Sequence, residues 1–210
     1  MCPKKALASL KKSLIGVNSK TGFKILNQIN SNSILAKAEK IVQDCIENDI
    51  KIIPYWNGFY PKDLIHCIDA PFLIYMKGEK NPNNQNLISI VGTRNCTDYG
   101  LKEVKKILKY LKPYPIGIVS GLAYGIDIYT HRTANEFDIV NYAVLGSGIN
   151  NIYPKKHLKE SEKIMENGML ISEYTPNEGP RTYHFPRRNR IIAGVSKCTI
   201  VIESKKTGGA

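Results

Sequence analysis

From residue 87 onward the chain repeats one form: a short apolar run, a closing glycine, serine or polar loop, then a longer stretch with helical spacing. The apolar runs are 87–92, 117–121, 140–148, 169–174 and 198–204. The stretches 99–112, 125–137, 155–167 and 187–196 place apolar residues three and four apart, the spacing of helices buried on one face. Continuous apolar strands alternating with helices predict an α/β fold whose mainly parallel sheet is covered on both faces. Ligands of such sheets lie at the carboxyl ends of the strands. This gathers five loops at one edge: 92–98, 120–127, 146–154, 173–186 and 203–209.

The pattern before residue 87 is different. Residues 1–48 read as a small helical domain, with a Gly-containing turn inside SLIGVNSKTGFKILNQI and a longer helix over ILAKAEKIVQDCIEN. Residues 49–86 read as a connecting segment holding one short strand at Phe72–Met76, and 87–210 as the core. The polar stretch EKNPNNQN (79–86) is rich in turn-forming residues and is the expected boundary.

Composition narrows the classes. The chain has 210 residues, 42% hydrophobic and 23% charged, an ordinary globular balance. It contains no apolar run of the roughly 18 residues that would cross a membrane. Its N-terminus, MCPKKALASLKKSLIG, does not have the pattern of a secretory signal. Cys2, Cys45, Cys67, Cys96 and Cys198 are scattered, an odd set that argues against a disulfide framework or a zinc site. A cytoplasmic protein without cofactor or metal is expected.

The net charge is +12, which suits an anionic partner such as nucleic acid. Most of the basic residues are Lys, so position is more informative than total. Arg181, Arg187, Arg188 and Arg190 fall within ten residues. Arginine makes forked contacts to phosphate that lysine cannot.

Four motifs carry the candidate chemistry. Ile90-Val91-Gly92-Thr93-Arg94 ends a strand in glycine, with an arginine beside helix N–H groups that favour an anion. In isolation it reads first as an ordinary strand-to-helix turn. Ser120-Gly121-Leu122-Ala123-Tyr124-Gly125-Ile126-Asp127 resembles a phosphate-cradling loop. It lacks the Lys-Ser/Thr of an ATP-hydrolysing loop. Asp127 can cap the following helix, and with His131, one helical turn on, it reads as ordering that loop. Leu145-Gly146-Ser147-Gly148, leading to Tyr153-Pro154, is equally a ligand loop or a plain turn. Phe185-Pro186-Arg187-Arg188-Asn189-Arg190 places cations in the first turn of a helix, the unfavourable end. A bound anion would relieve that, and Phe185 offers a face on which a base stacks.

In this order and spacing the motifs resemble the DNA-processing protein A (DprA, or Smf) family. IVGTRNCTDYG, VSGLAYGIDIYTHRTA, VLGSGINNIYP, ISEY and FPRRNRIIAGVS carry the resemblance, which extends over residues 45–210. The resemblance implies a Rossmann-like, doubly wound core that is not an enzyme. It implies binding of single-stranded DNA, protection of incoming strands in natural transformation, loading of a RecA-type recombinase, and a homodimer. DNA contacts would be Arg94, Phe185 and, around a phosphate pocket, Gly92, Ser120, Gly121, Arg187, Arg188, Asn189 and Arg190, with Arg181 just ahead of the aromatic. Family members continue beyond Lys206-Thr207-Gly208-Gly209-Ala210, so this chain is expected to be truncated at its C-terminus. The alternative is a nucleotide-hydrolysing enzyme of the lonely guy/lysine-decarboxylase-like type. Thr207-Gly208-Gly209-Ala210 falls near that family's Gly-rich segment but without its glutamate.

Overall fold

The computed structural model describes residues 32–204. Two compact units are present, Met1–Asp44 and Cys45–Ala210. Of the first, the described part belongs to helix α1 (Asn32–Glu47), which matches the helix expected over ILAKAEKIVQDCIEN. The expected turn within residues 13–29 lies outside the described residues.

The second unit is built on a seven-stranded sheet. In chain order its elements are β1 (Lys51–Pro54), β2 (Leu73–Gly78), β3 (Asn86–Gly92), α2 (Asp98–Leu111), β4 (Ile116–Ser120), α3 (Ile126–Glu136), β5 (Val140–Leu145), α4 (Leu158–Glu166), β6 (Gly168–Ser172), α5 (His184–Gly194) and β7 (Cys198–Ile202). The strands lie in the order β1-β2-β6-β5-β4-β3-β7. β3 to β7 are parallel to their neighbours in that set, as the apolar runs predict. β1 and β2 add an antiparallel edge against β6.

The segment 49–86 is therefore more than a connector, since it supplies two strands of the same sheet. The 79–86 stretch turns within the unit: Asn81 caps a short 3-10 turn, its side chain accepting from the Asn83 N–H. Asn83 in turn bonds Lys62, Gly58 and Tyr60. A polar Asn/Pro run satisfies backbone groups in a tight turn as readily as it marks a linker.

Alternation along the strands sorts side chains onto two faces. Val119, Tyr142, Val144 and Ile171 pack with Leu64, Ile191, Ile192 and Val195, so α5 covers one face. Ile90, Ile118 and Ile202 pack with Val104, Leu108, Ile126 and Ala134, so α2 and α3 cover the other. α4 lies beside α3 against β5 and β6. From β3 the chain crosses by α2 to β4. From β6 it crosses by α5, on the opposite face, to β7 on the far side of β3. The order reverses at β3, and in sheets of this kind the ligand crevice opens beyond the strand ends at that point. Among the described residues no helix is long and apolar enough to cross a membrane.

Candidate functional site

The crevice is assembled from four loops that bind one another through backbone groups. Thr93 O accepts the Ile126 N–H at 3.1 Å, tying the loop after β3 to the start of α3. Gly125 makes this approach possible. Its φ is +75°, and a side chain there would run into the carbonyls of Thr93 and Arg94. The loop after β5 is zipped to the loop after β6 by Gly148 N–H to Glu178 O (2.8 Å) and Asn150 N–H to Pro176 O (2.9 Å). Ser172 adds a bond from its hydroxyl to Ser147 O at 2.7 Å.

Phe185, half-buried in the first turn of α5, lies across Gly146. A Cβ on Gly146 would sit 2.7 Å from the Phe185 ring, so glycine is what lets the ring settle there. Tyr153 flanks the ring at 5.4 Å between centroids. The exposed Arg94 guanidinium stands over it at 5.9 Å, at the limit of cation–π attraction. A second aromatic–cation pair follows on the rim, with Lys156 Nζ 4.2 Å from the Tyr124 ring.

The arginines of α5 have separate tasks. Arg187 is exposed. Arg188 is only 4% exposed. It donates to the carbonyls of Gly121 (2.6 Å) and Val144, bolting the loop after β4 to the end of β5. Its guanidinium lies flat against Gly121, where any Cβ would displace it. Arg190 is clamped by both Glu173 oxygens at 2.5 Å and by the Asp69 carboxylate at 3.3 Å. Arg181 is exposed, donating to the Tyr183 hydroxyl at 2.9 Å and standing 3.8 Å from Glu178. The cations in the first turns of α5 thus have internal partners at two of three positions. They do not all await a bound anion.

The remaining expected contacts divide in the same way. Ser120 is fully buried and donates to Ile90 O at 2.6 Å. Gly121 is buried and Gly92 half-buried. Asn189 accepts from Arg188 Nε at 3.2 Å. Ser120 and Arg188 therefore cannot touch a ligand lying on the surface. They brace the loops from within. Arg94, Phe185, Arg187 and Arg181 remain on the accessible side.

Two helix ends behave unlike their sequence reading. The N-terminus of α2, where an anion was expected, already holds one. The Glu203 carboxylate accepts the Thr97 N–H at 2.9 Å and the Thr97 hydroxyl. Those bonds hold the Glu203 carboxyl below its ordinary pKa. Asp127 does not cap α3. Gly125 holds the cap position, and Asp127 is the second residue of the helix, buried beneath the loops. Burial pushes its carboxyl above the usual range, against Arg188 and the backbone hydrogen bonds of Ala123, Gly92 and Gly121, which pull it down. His131 is fully buried, with Nδ1 2.7 Å from Asn141 Oδ1. Burial drops its pKa to about 4, so the ring is neutral at physiological pH.

Sequence reasoning missed the Glu173–Arg190–Asp69 clamp and the Tyr153 and Tyr124–Lys156 contacts. The aromatics beside glycine-rich turns were the available signal. The carboxylates of the clamp are remote in sequence and gave none.

The fold and the site define a doubly wound α/β protein whose crevice presents an aromatic ring and exposed arginine on a braced set of loops. Comparison with known proteins makes the assignment specific: the chain belongs to the DNA recombination-mediator protein A family, whose model matches residues 51–210. It is 39% identical to the DNA processing protein DprA of Streptococcus pneumoniae over 72% of this chain and 53% of that one. A solved structure of the S. pneumoniae protein superposes with a TM-score of 0.80 at 32% identity, covering 95% of this chain and 68% of that one. A second superposes with a TM-score of 0.68 at 25% identity, covering 76% of this chain and 72% of that one. It is described as giving "structural insights into the unique single-stranded DNA binding mode of DNA processing protein A from Helicobacter pylori". The chain spans about half the length of the curated relatives it matches.

Proposed function

We propose that this chain is a DNA-processing protein that binds single-stranded DNA, without catalysing a reaction on it. The strand lies along the rim formed by Arg94, Phe185 and Arg187, with Arg181 alongside. The observation that carries this reading is the exposed Arg94 guanidinium standing over the Phe185 ring. This pairing supports a phosphate contact at Arg94 next to base stacking at Phe185. The Helicobacter pylori relative, which binds single-stranded DNA, supports it.

A hydrolytic or nucleotide-sensing Rossmann protein would seat a mononucleotide phosphate on the first helix N-terminus. Here the Glu203 carboxylate occupies that position. The family's designation as a recombination mediator supports a bound strand that is protected in the cytoplasm and passed to a RecA-type recombinase by a homodimer.

The test is an electrophoretic shift with oligo(dT) over a range of salt. Three to five phosphate contacts on a single strand give a log–log slope of about −2 to −3.5. A flat response, or equal competition by thymidine monophosphate, rules the reading out. Phe185→Ala is expected to cost about 1–3 kcal/mol of affinity while leaving the slope unchanged, because stacking releases no counterions. A reduced slope at unchanged affinity would mean that Phe185 positions Arg94 instead of a base.

A further inference from the structure

Beside the first turn of α5 the surface opens into a cleft of about 560 Å³, lined by Asp69, Pro71, Phe72, Glu173, Arg187 and Arg190 among others. Pro186 also lines it, so the cleft begins next to Phe185. Both carboxylates are engaged by Arg190, and Arg187 is exposed with no ion pair among the described residues.

The far wall ends in Phe72, and Phe72 meets Trp56. Their ring centroids are 5.1 Å apart and the planes 69° from parallel. Phe72 is 69% exposed and Trp56 71% exposed. Tyr55, next to Trp56, packs on the buried Tyr60 at 5.4 Å and donates its hydroxyl to Ile65 O, and its N–H bonds Phe72 O at 2.9 Å, which ties the two ring-bearing turns together. Trp56 and Phe72 thus offer two flat faces at a steep angle, fixed on the sheet's antiparallel edge and reached from the Phe185 site across an arginine.

We propose that Trp56 and Phe72 are a second stacking platform for the same single strand, with Arg187 holding the backbone between the two platforms. This rests on the single-stranded-DNA reading and deepens it. Continuity and one uncommitted cation select the occupant. The cleft is continuous with the Phe185 turn, its two carboxylates share Arg190, and Arg187 has no ion pair among the described residues. A single strand can meet Arg187 with its backbone and the two rings with its bases. The consequence is a length requirement: a short oligonucleotide fills the Arg94–Phe185 rim alone, and a longer one spans both platforms.

Trp56 is the single tryptophan of the chain, so its emission reports the second platform directly. The full chain is titrated with dT6 and dT20 while binding is followed separately by anisotropy of a labelled oligonucleotide. Expected results are quenching of Trp56 by dT20 and little by dT6. Trp56→Ala with Phe72→Ala should weaken dT20 about tenfold or more and leave dT6 and the salt slope unchanged. Trp56→Phe, which keeps a ring, should retain most of the affinity. If labelled dT20 binds tightly while Trp56 emission stays constant and the double variant binds as the parent does, the second platform is refuted and the first stands. If labelled dT20 does not bind at all, both readings fail. Trp56 burial that tracks protein concentration without DNA assigns the patch to a second copy of the chain and overturns the proposal.

Discussion

Arg188→Met is expected to remove about 3–5 kcal/mol of stability, the usual cost of deleting one member of a buried charge network. That is a large share of a total near 5–15 kcal/mol. The side chain is only 4% exposed and its donors are committed to Gly121 O, Val144 O and Asn189. Its loss strands two carbonyls and leaves the Asp127 carboxylate buried without its facing cation. Adding Asp127→Asn should recover part of the loss, because the two sites are coupled. Urea unfolding with both single variants and the double variant measures this. Were Arg188 a DNA contact instead, the variant would unfold like the parent and show a shallower salt dependence of binding.

Arg94→Ala is expected to do the reverse: weaken oligo(dT) binding by about 1.5–3 kcal/mol, roughly ten- to a hundredfold, while leaving the urea midpoint in place. Arg94 is exposed, and its contact is with the Phe185 ring and not with a carboxylate. Truncation thus removes the proposed phosphate contact and little internal packing. The salt slope should fall by about 0.7 for the lost phosphate contact. Arg94→Lys should restore the slope but only part of the affinity, since lysine keeps the charge without the fork. Undiminished affinity in Arg94→Ala would remove the residue from the interface.

The parallel core was legible because each of its strands is a continuous apolar run ending at a small residue. LISIVG and CTIVIES announce β3 and β7 without reference to anything distant. β1 was not legible. Lys51–Pro54 is four residues long and ends in proline, a pattern that an edge strand tolerates but does not advertise. The strand expected at Phe72–Met76 was found at Leu73–Gly78, but its antiparallel pairing with β6 is a tertiary choice that no local pattern encodes. The same limit divides the arginines. By charge Arg187, Arg188 and Arg190 are equivalent, whereas helical phase separates them. Arg188 stands four residues after the buried His184, and three and four before the buried Ile191 and Ile192, so it belongs to the inward stripe. That phase was readable. The partners of Arg190 were not, since Asp69 precedes β2 and Glu173 follows β6, strands remote in sequence that are neighbours only in the sheet.

The Phe185 seat has a consequence for how the protein can be cut or damaged. The ring rests on Gly146, the arginine above it comes from residue 94, the bolt beneath fastens residue 121, and α5 reaches its place only by crossing the sheet to deliver β7. The proposed rim is therefore drawn from positions nearly a hundred residues apart, which only the folded sheet brings together. A cut that freed the final strand would remove the far partner of β3 and, with it, the Glu203 carboxylate that holds the start of α2.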